Sequence, residues 1–188
     1  MDLPIKKNPW KIVTTQEGYD NPWIKLTHHD VINPGGNKGE YTTIHFKNLA
    51  VGVIPLDQEL NTYLVGQYRF PLQQYSWEIP EGGGKFDEEP IETAKRELHE
   101  ETGINAEDWL LIQEFDISNS ISDEKACLFL ARDLSFEEAH PDDDEELALK
   151  KVPFKQVYQW VLEGKIRDGL TVVAVLKIQT LLLEGKLK

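Results

Sequence analysis

The stretch GGGKFDEEPIETAKRELHEETGI, Gly82–Ile104, decides how the rest of the chain is read. It sets Asp87, Glu88, Glu89, Glu92, Glu97, Glu100 and Glu101 against only Lys85, Lys95 and Arg96. Like charges three or four residues apart weaken a helix slightly, so helix propensity does not account for the crowding. Pro90 suits a first helical turn, Ile91, Ala94 and Leu98 recur at helical spacing, and Gly103 ends the pattern, which predicts a helix over 90–102. On a wheel of about 100° per residue with Glu97 at zero, Glu101 falls at roughly +40° and Glu100 at roughly −60°. Ile91, Ala94 and Leu98 form the neighbouring stripe, at roughly +60° to +120°. One side of the helix packs while the adjoining side gathers carboxylates.

Oxygen donors grouped this way suit Mg²⁺ or Mn²⁺, hard ions held by a few carboxylates and by substrate phosphate oxygens. The plain alternative for three glutamates on a helix is a solvated acidic face. Two neighbours favour the first reading. Gly82, Gly83 and Gly84 follow Pro80 in a turn where backbone can approach a ligand closely. Arg96, always charged, is expected to clamp Glu88 eight residues earlier and so fix loop to helix.

Outward from this segment, the chain of 188 residues is long enough for one buried core. Its 40% hydrophobic and 28% charged residues are those of a globular protein. A net charge of −13 opposes a polyphosphate backbone, which argues against nucleic acid as a partner. The apolar run near 170–183 is interrupted by Thr171, Lys177, Gln179 and Thr180, so no membrane span is expected. A single cysteine, Cys127, and an N-terminus without an apolar signal core fit a reducing cytoplasm. The five histidines show no shared metal spacing along the chain.

Alternating apolar residues and turn signals predict an N-terminal antiparallel meander from 10–15, 23–31 and 41–46. Strand-like runs follow at 49–56 and 62–69, read as a hairpin pair, and at 74–79, 109–116, 125–131 and 147–152. Helices are expected at 154–163 and 170–183. The pattern gives an α+β or mixed-sheet sandwich, divided into a meander at 1–48 and a main domain at 49–188.

Gly82, five residues, Glu88, seven residues, then Arg96-Glu97-Leu98-His99-Glu100-Glu101-Thr102-Gly103-Ile104 resembles the complete Nudix box. So many specified positions within one short segment make the match highly specific, and the surrounding elements extend the likeness over 45–185. The resemblance implies an α/β/α sandwich that hydrolyses a nucleoside diphosphate linked to another moiety, with two or three Mg²⁺ ions for which Mn²⁺ substitutes. It implies Glu97, Glu100 and Glu101 as metal ligands, Glu100 assisting in catalysis directly or through water, the main-chain oxygen of Glu81 as a further ligand, and Glu88 with Arg96 as a structural ion pair.

Gln67-Tyr68-Arg69 and Trp77-Glu78-Ile79-Pro80-Glu81-Gly82 are similar to signatures of the ADP-ribose pyrophosphatase branch. That likeness implies Arg69 on a diphosphate, Glu78 on metal-bound water or a terminal ribose, and the Gly82 and Gly83 backbone against substrate. It also implies a catalytic glutamate in the acidic loop HPDDDEE, with Glu145 first and Glu146 second. Two departures stand out. Asp87 occupies a position where many members carry Gly, and Ser118–Ser122 replaces the Ser-Pro-Gly common before Asp123-Glu124, which puts the sugar specificity in doubt.

The resemblance further implies a homodimer built through the N-terminal meander, the size of the segment that related dimers exchange; Trp10, Tyr19 and Trp23 then either stack on a base from the partner's side or serve as core aromatics of a small sheet. Two other functions compete with nucleotide-sugar hydrolysis. A non-catalytic binding module is disfavoured because every box carboxylate is present. A housecleaning nucleotide pyrophosphatase is disfavoured by Arg69 and Glu78 in their flanking motifs.

Overall fold

The structure, a computed structural model, describes residues 3, 5–139 and 146–187. The chain forms two compact units, one made of Met1–Lys47 with Ser118–Glu124, the other of Asn48–Ile117 with Lys125–Lys188.

The first unit is an antiparallel sheet of β1 (Lys11–Asp20), β2 (Ile24–Ile32) and β3 (Lys38–Phe46), in that order. Its strands run longer than the apolar alternation predicts, because cross-strand bonds carry them through polar residues. Every residue of β1 is exposed, including Ile12, Val13 and Tyr19, and Trp23 is exposed beside it. Trp10 meets Tyr41 edge to face, with ring centroids 5.4 Å apart. The Ser118–Glu124 segment completes the unit. Asp123 accepts from the Phe46 backbone N–H and lies 2.9 Å from His45 Nδ1, while Ile121 O accepts from the Ile44 N–H.

The second unit is layered. A mixed sheet has the order β7 (Glu81–Lys85), β4 (Asn48–Pro55), β9 (Lys125–Phe136), β8 (Ile104–Asp116), with β4 and β9 parallel. An antiparallel sheet has the order β10 (Ala148–Pro153), β5 (Asn61–Arg69), β6 (Gln74–Glu78). Both faces of the mixed sheet are covered, so its central strands are apolar on both sides. Val51, Val53, Cys127 and Phe129 pack with Ala94 and Leu98 of α1 (Pro90–Thr102). Ile54, Leu128 and Leu130 face Val157 of α2 (Phe154–Leu162) and Ala174, Val175 and Ile178 of α3 (Gly169–Leu183). This is the mixed-sheet sandwich that the sequence implies. Among the described residues no helix is long and apolar enough to cross a membrane.

The structure corrects two expectations. The runs at 49–56 and 62–69 do not form a hairpin: β4 and β5 lie in different sheets, joined only by the single bridge Leu56↔Thr62. The triple glycine, read as a turn, is strand β7, paired with β4 from Asn48↔Lys85 to Gly52↔Glu81. Gly84 tolerates no side chain there, because a methyl group on it would lie 2.3 Å from Thr93 Oγ1 of α1. The glycines therefore bring a helix onto a sheet.

Candidate active site

Helix α1 begins with Pro90 and closes on Gly103 in the left-handed region (φ 68°), whose N–H donates to His99 O. Ala94 and Leu98 are fully buried and hold the helix on β4 and β9. That seating turns Glu97 and Glu101 inward, toward the strand that precedes them. Glu101 is buried and its Oε2 accepts from the Glu81 backbone N–H at 3.0 Å. The Glu97 carboxylate lies so close to Gly82 that a methyl group there would sit 2.0 to 2.3 Å from it. Both glutamates thus close on the Glu81–Gly82 backbone.

Glu100 is half-buried and pairs with Arg96 Nη1 at 2.8 Å. Arg96 Nη2 also reaches Glu97 Oε1 at 2.8 Å and donates to the Gly83 carbonyl at 3.2 Å. Here the geometry departs from expectation. Arg96 clamps the helix to β7 through Glu97, Glu100 and Gly83 rather than through Glu88, whose carboxylate instead accepts from Thr93 Oγ1 at 3.0 Å. Arg96 finds its acceptors on its own helix and on β7, and the loop glutamate takes the Thr93 hydroxyl five residues on.

A second group of polar residues forms where β6 ends. Pro80 O accepts from Val53 N–H, Ile79 N–H donates to Thr171 Oγ1, and Glu81 N–H goes to Glu101, so the 78–81 backbone is tied to the sheet, α3 and α1 together. Glu78, 2% exposed, grips Arg69 with both oxygens: Nε lies 3.1 and 2.9 Å from them and Nη2 2.5 Å from Oε2. Arg69 Nη2 also donates to Glu81 Oε1 at 2.7 Å. Asp168 joins them: one carboxylate oxygen each from Glu78, Glu81 and Asp168 lie within 4.8 Å of one another. Burial pushes the Glu81 carboxyl well above its ordinary value and the charges of Asp168 and Glu78 add to the rise, while Arg69 opposes it. These residues line a cavity of about 800 Å³ together with Gln74 and Tyr75.

Sequence reasoning missed Asp168. Its visible signal is that of a helix N-cap, and it fills that role, accepting from the Thr171 N–H at 2.7 Å. Pairing of β2 with β3 also assembles a group of half-buried His28 with exposed Asp30 and Glu40, which linear spacing of histidines does not reveal. Of the two loop glutamates, Glu146 is exposed just before β10, and Glu145 lies outside the described residues.

The donor set fits a hard divalent ion: Glu97 and Glu101 meet at the backbone of one strand end, with Glu100 one helical position away and no soft ligand among them. Arginine, carboxylates and a cavity of this size are suited to a phosphorylated ligand.

Residues 46–171 match the NUDIX domain, and residues 10–44 match the nucleoside diphosphate sugar hydrolase N-terminal domain. The chain belongs to the Nudix family and is a hydrolase of its ADP-ribose-pyrophosphatase-like branch. It is 35% identical over 173 residues to the methanol dehydrogenase activator of Bacillus methanolicus, covering 90% of this chain and 92% of that one. It is 31% identical over 171 residues to the ADP-ribose pyrophosphatase of Bacillus subtilis (strain 168), with the same coverage. The crystal structure of an ADP compounds hydrolase shares the fold at a TM-score of 0.85, with 19% identity, 98% of this chain and 100% of that one.

Proposed function

We propose that this hydrolase cleaves the pyrophosphate bond of ADP-ribose or a related nucleoside diphosphate sugar and depends on Mg²⁺, with Mn²⁺ able to substitute. The observation that carries the reading is the double engagement of Glu81, whose N–H is held by Glu101 and whose side chain is held by Arg69. One residue thereby joins the metal-type carboxylates of α1 to the phosphate-type arginine of the cavity.

The residues that would hold the ions are Glu97, Glu100, Glu101 and the main-chain oxygen of Glu81. Bound divalent ions supply charge neutralisation and a more acidic water. Arg69 binds the diphosphate, offering planar N–H donors to its oxygens. The backbone of Gly82 and Gly83 lies alongside, without side chains to obstruct a ligand. A glutamate of the acidic loop, Glu145 or Glu146, takes the proton of the attacking water. Water adds its oxygen to one phosphorus, the anhydride P–O bond breaks, and ADP-ribose gives AMP and ribose 5-phosphate. Other nucleotide sugars give a nucleoside monophosphate and a sugar 1-phosphate.

The exposed β1 and the aromatic residues Trp10, Tyr19 and Trp23 support a homodimer built through the N-terminal sheet. A mass of two chains by light scattering is expected, and a mass of one chain removes the dimer. The activity is tested with a panel of ADP-ribose, ADP-glucose, GDP-mannose and nucleoside triphosphates, each with Mg²⁺ or Mn²⁺ and with chelator. Monophosphate release from a diphosphate sugar, abolished by chelator, is expected; turnover confined to the triphosphates overturns the substrate class.

A further inference from the structure

The cavity contains a pairing whose geometry divides the work of one arginine. Arg69 has five N–H donors. The Nε–H is shared by the two oxygens of Glu78, and the two on Nη2 go to Glu78 Oε2 at 2.5 Å and Glu81 Oε1 at 2.7 Å. Among the described residues no acceptor takes the two on Nη1. The side chain retains a third of its exposure and lines the cavity, whereas the Glu78 side chain is 3% exposed.

We infer that Glu78 is a positioning residue for Arg69: it grips the Nε and Nη2 edge so that the Nη1 edge is left for a diphosphate oxygen. Buried behind the guanidinium, Glu78 acts on the ligand through Arg69, not by touching a ribose or a water itself. The register of the strands does not place the two residues opposite each other, so the long arginine side chain spans the ladder to reach Glu78. Arg69 and Glu78 stand on the paired strands β5 and β6, whose partners run from Arg69↔Gln74 to Val65↔Glu78. The Ile79 N–H donating to Thr171 Oγ1 fixes the backbone immediately after Glu78. A fork held on one edge has lost most of its rotamer freedom before any ligand arrives, which lowers the entropy cost of binding. The assignment rests on the proposed diphosphate substrate, so its test uses a ligand that needs no cleavage.

The experiment is a double-mutant cycle read by calorimetric titration of the full chain with inorganic pyrophosphate in the presence of Mg²⁺. Arg69→Ala and Glu78→Gln are each expected to weaken affinity about tenfold or more, and the double variant to bind no more weakly than Arg69→Ala alone. Glu78→Asp, which keeps the charge, is expected to recover part of the loss. It replaces Glu78→Gln in the cycle if thermal melts show that Glu78→Gln does not fold. If Glu78→Gln costs the same factor with Arg69 present or absent, Glu78 touches the ligand or merely supports the fold, and the assignment is overturned. Unchanged affinity in Arg69→Ala, or no binding by the parent, overturns it as well. A parent that binds pyrophosphate with this coupling yet cleaves no nucleotide sugar leaves the positioning intact and sinks the reaction instead.

Discussion

Two sets of carboxylates meet at Glu81, and they are built on opposite principles. Those of α1 come from little more than one helical turn, where the helix repeat puts Glu97, Glu100 and Glu101 on adjoining positions. Those of the cavity, Glu78, Glu81 and Asp168, come from two distant parts of the chain and converge because α3 starts where β6 ends. The helical set is restrained by backbone and by Arg96, with Glu101 on the Glu81 N–H. The cavity set has Arg69 as the cation it bonds to, and burial, with the charges of Asp168 and Glu78 added to it, is what raises Glu81. A local constellation tolerates sequence drift elsewhere; a distant one depends on the packing of the whole unit.

The sharpest way to break this contrast is Glu101→Gln. The amide keeps the shape and still accepts from the Glu81 N–H, but loses the charge. Hydrolysis of ADP-ribose is expected to fall by at least about a hundredfold, with the melting temperature nearly unchanged. Parent-like rates would remove Glu101 from the chemistry. Next in size is Gly82→Ala. Its methyl group would displace the Glu97 carboxylate, the mobile end of a long side chain, so function suffers and the fold does not. A loss of roughly tenfold to a hundredfold in kcat/KM is expected. Gly83→Ala is the comparison in the same strand: its methyl group would meet Asn48 Nδ2 at 3.4 Å, an ordinary contact, and leave Glu97 in place, so a smaller loss is expected. Equal losses in the two variants would show that backbone freedom, not room for Glu97, is what the glycines supply.

The same contrast separates what the sequence makes legible from what only the folded chain shows. The α1 helix, its caps and its inward glutamates are local, so periodicity and the box motif were enough. The central strands were legible for the same reason. Pairing was not: β4 and β5 are separated by a short DQELN connection that looks like a hairpin loop, yet each finds its partners elsewhere. The triple glycine reads as a turn because turn chemistry and close packing ask for the same residue, and only the approach of Thr93 to Gly84 separates them. Asp168 had a local explanation that was true but incomplete, and the group of His28, Asp30 and Glu40 exists only through cross-strand register. The motif pairs Glu88 with Arg96, whereas in the structure Glu88 meets Thr93 and Arg96 meets Glu97, Glu100 and Gly83.

Asp168 also allows the cap to be separated from the charge cluster. Asp168→Asn keeps an oxygen for the Thr171 N–H, so unfolding by denaturant is expected to show little loss, while Asp168→Ala is expected to cost about 1 kcal/mol. Equal destabilisation by both would mean that the charge, not the cap, holds the start of α3.

The smallest effect concerns a carboxylate away from the site that combines both kinds of partner. Asp57 accepts from the nearby Glu59 and Asn61 N–H groups and from Asn61 Nδ2, and it pairs with the distant Lys151 at 2.8 Å. Burial pushes its carboxyl upward, but the Lys151 and Asn61 hydrogen bonds outweigh this and hold it at about 2, below its ordinary 3.8. A depressed carboxyl stabilises the fold fully above its unfolded value, and this stabilisation disappears as pH falls through the folded value. Asp57→Asn is therefore expected to cost about 1 kcal/mol at neutral pH, a figure reduced for the solvent around Lys151, and the gap to the parent should close between pH 3.8 and about 2. A gap that stays constant across that range would assign the effect to packing. If instead Lys151→Met removes most of the gap at neutral pH, the distant partner dominates even here, and the local turn serves only to orient the acid.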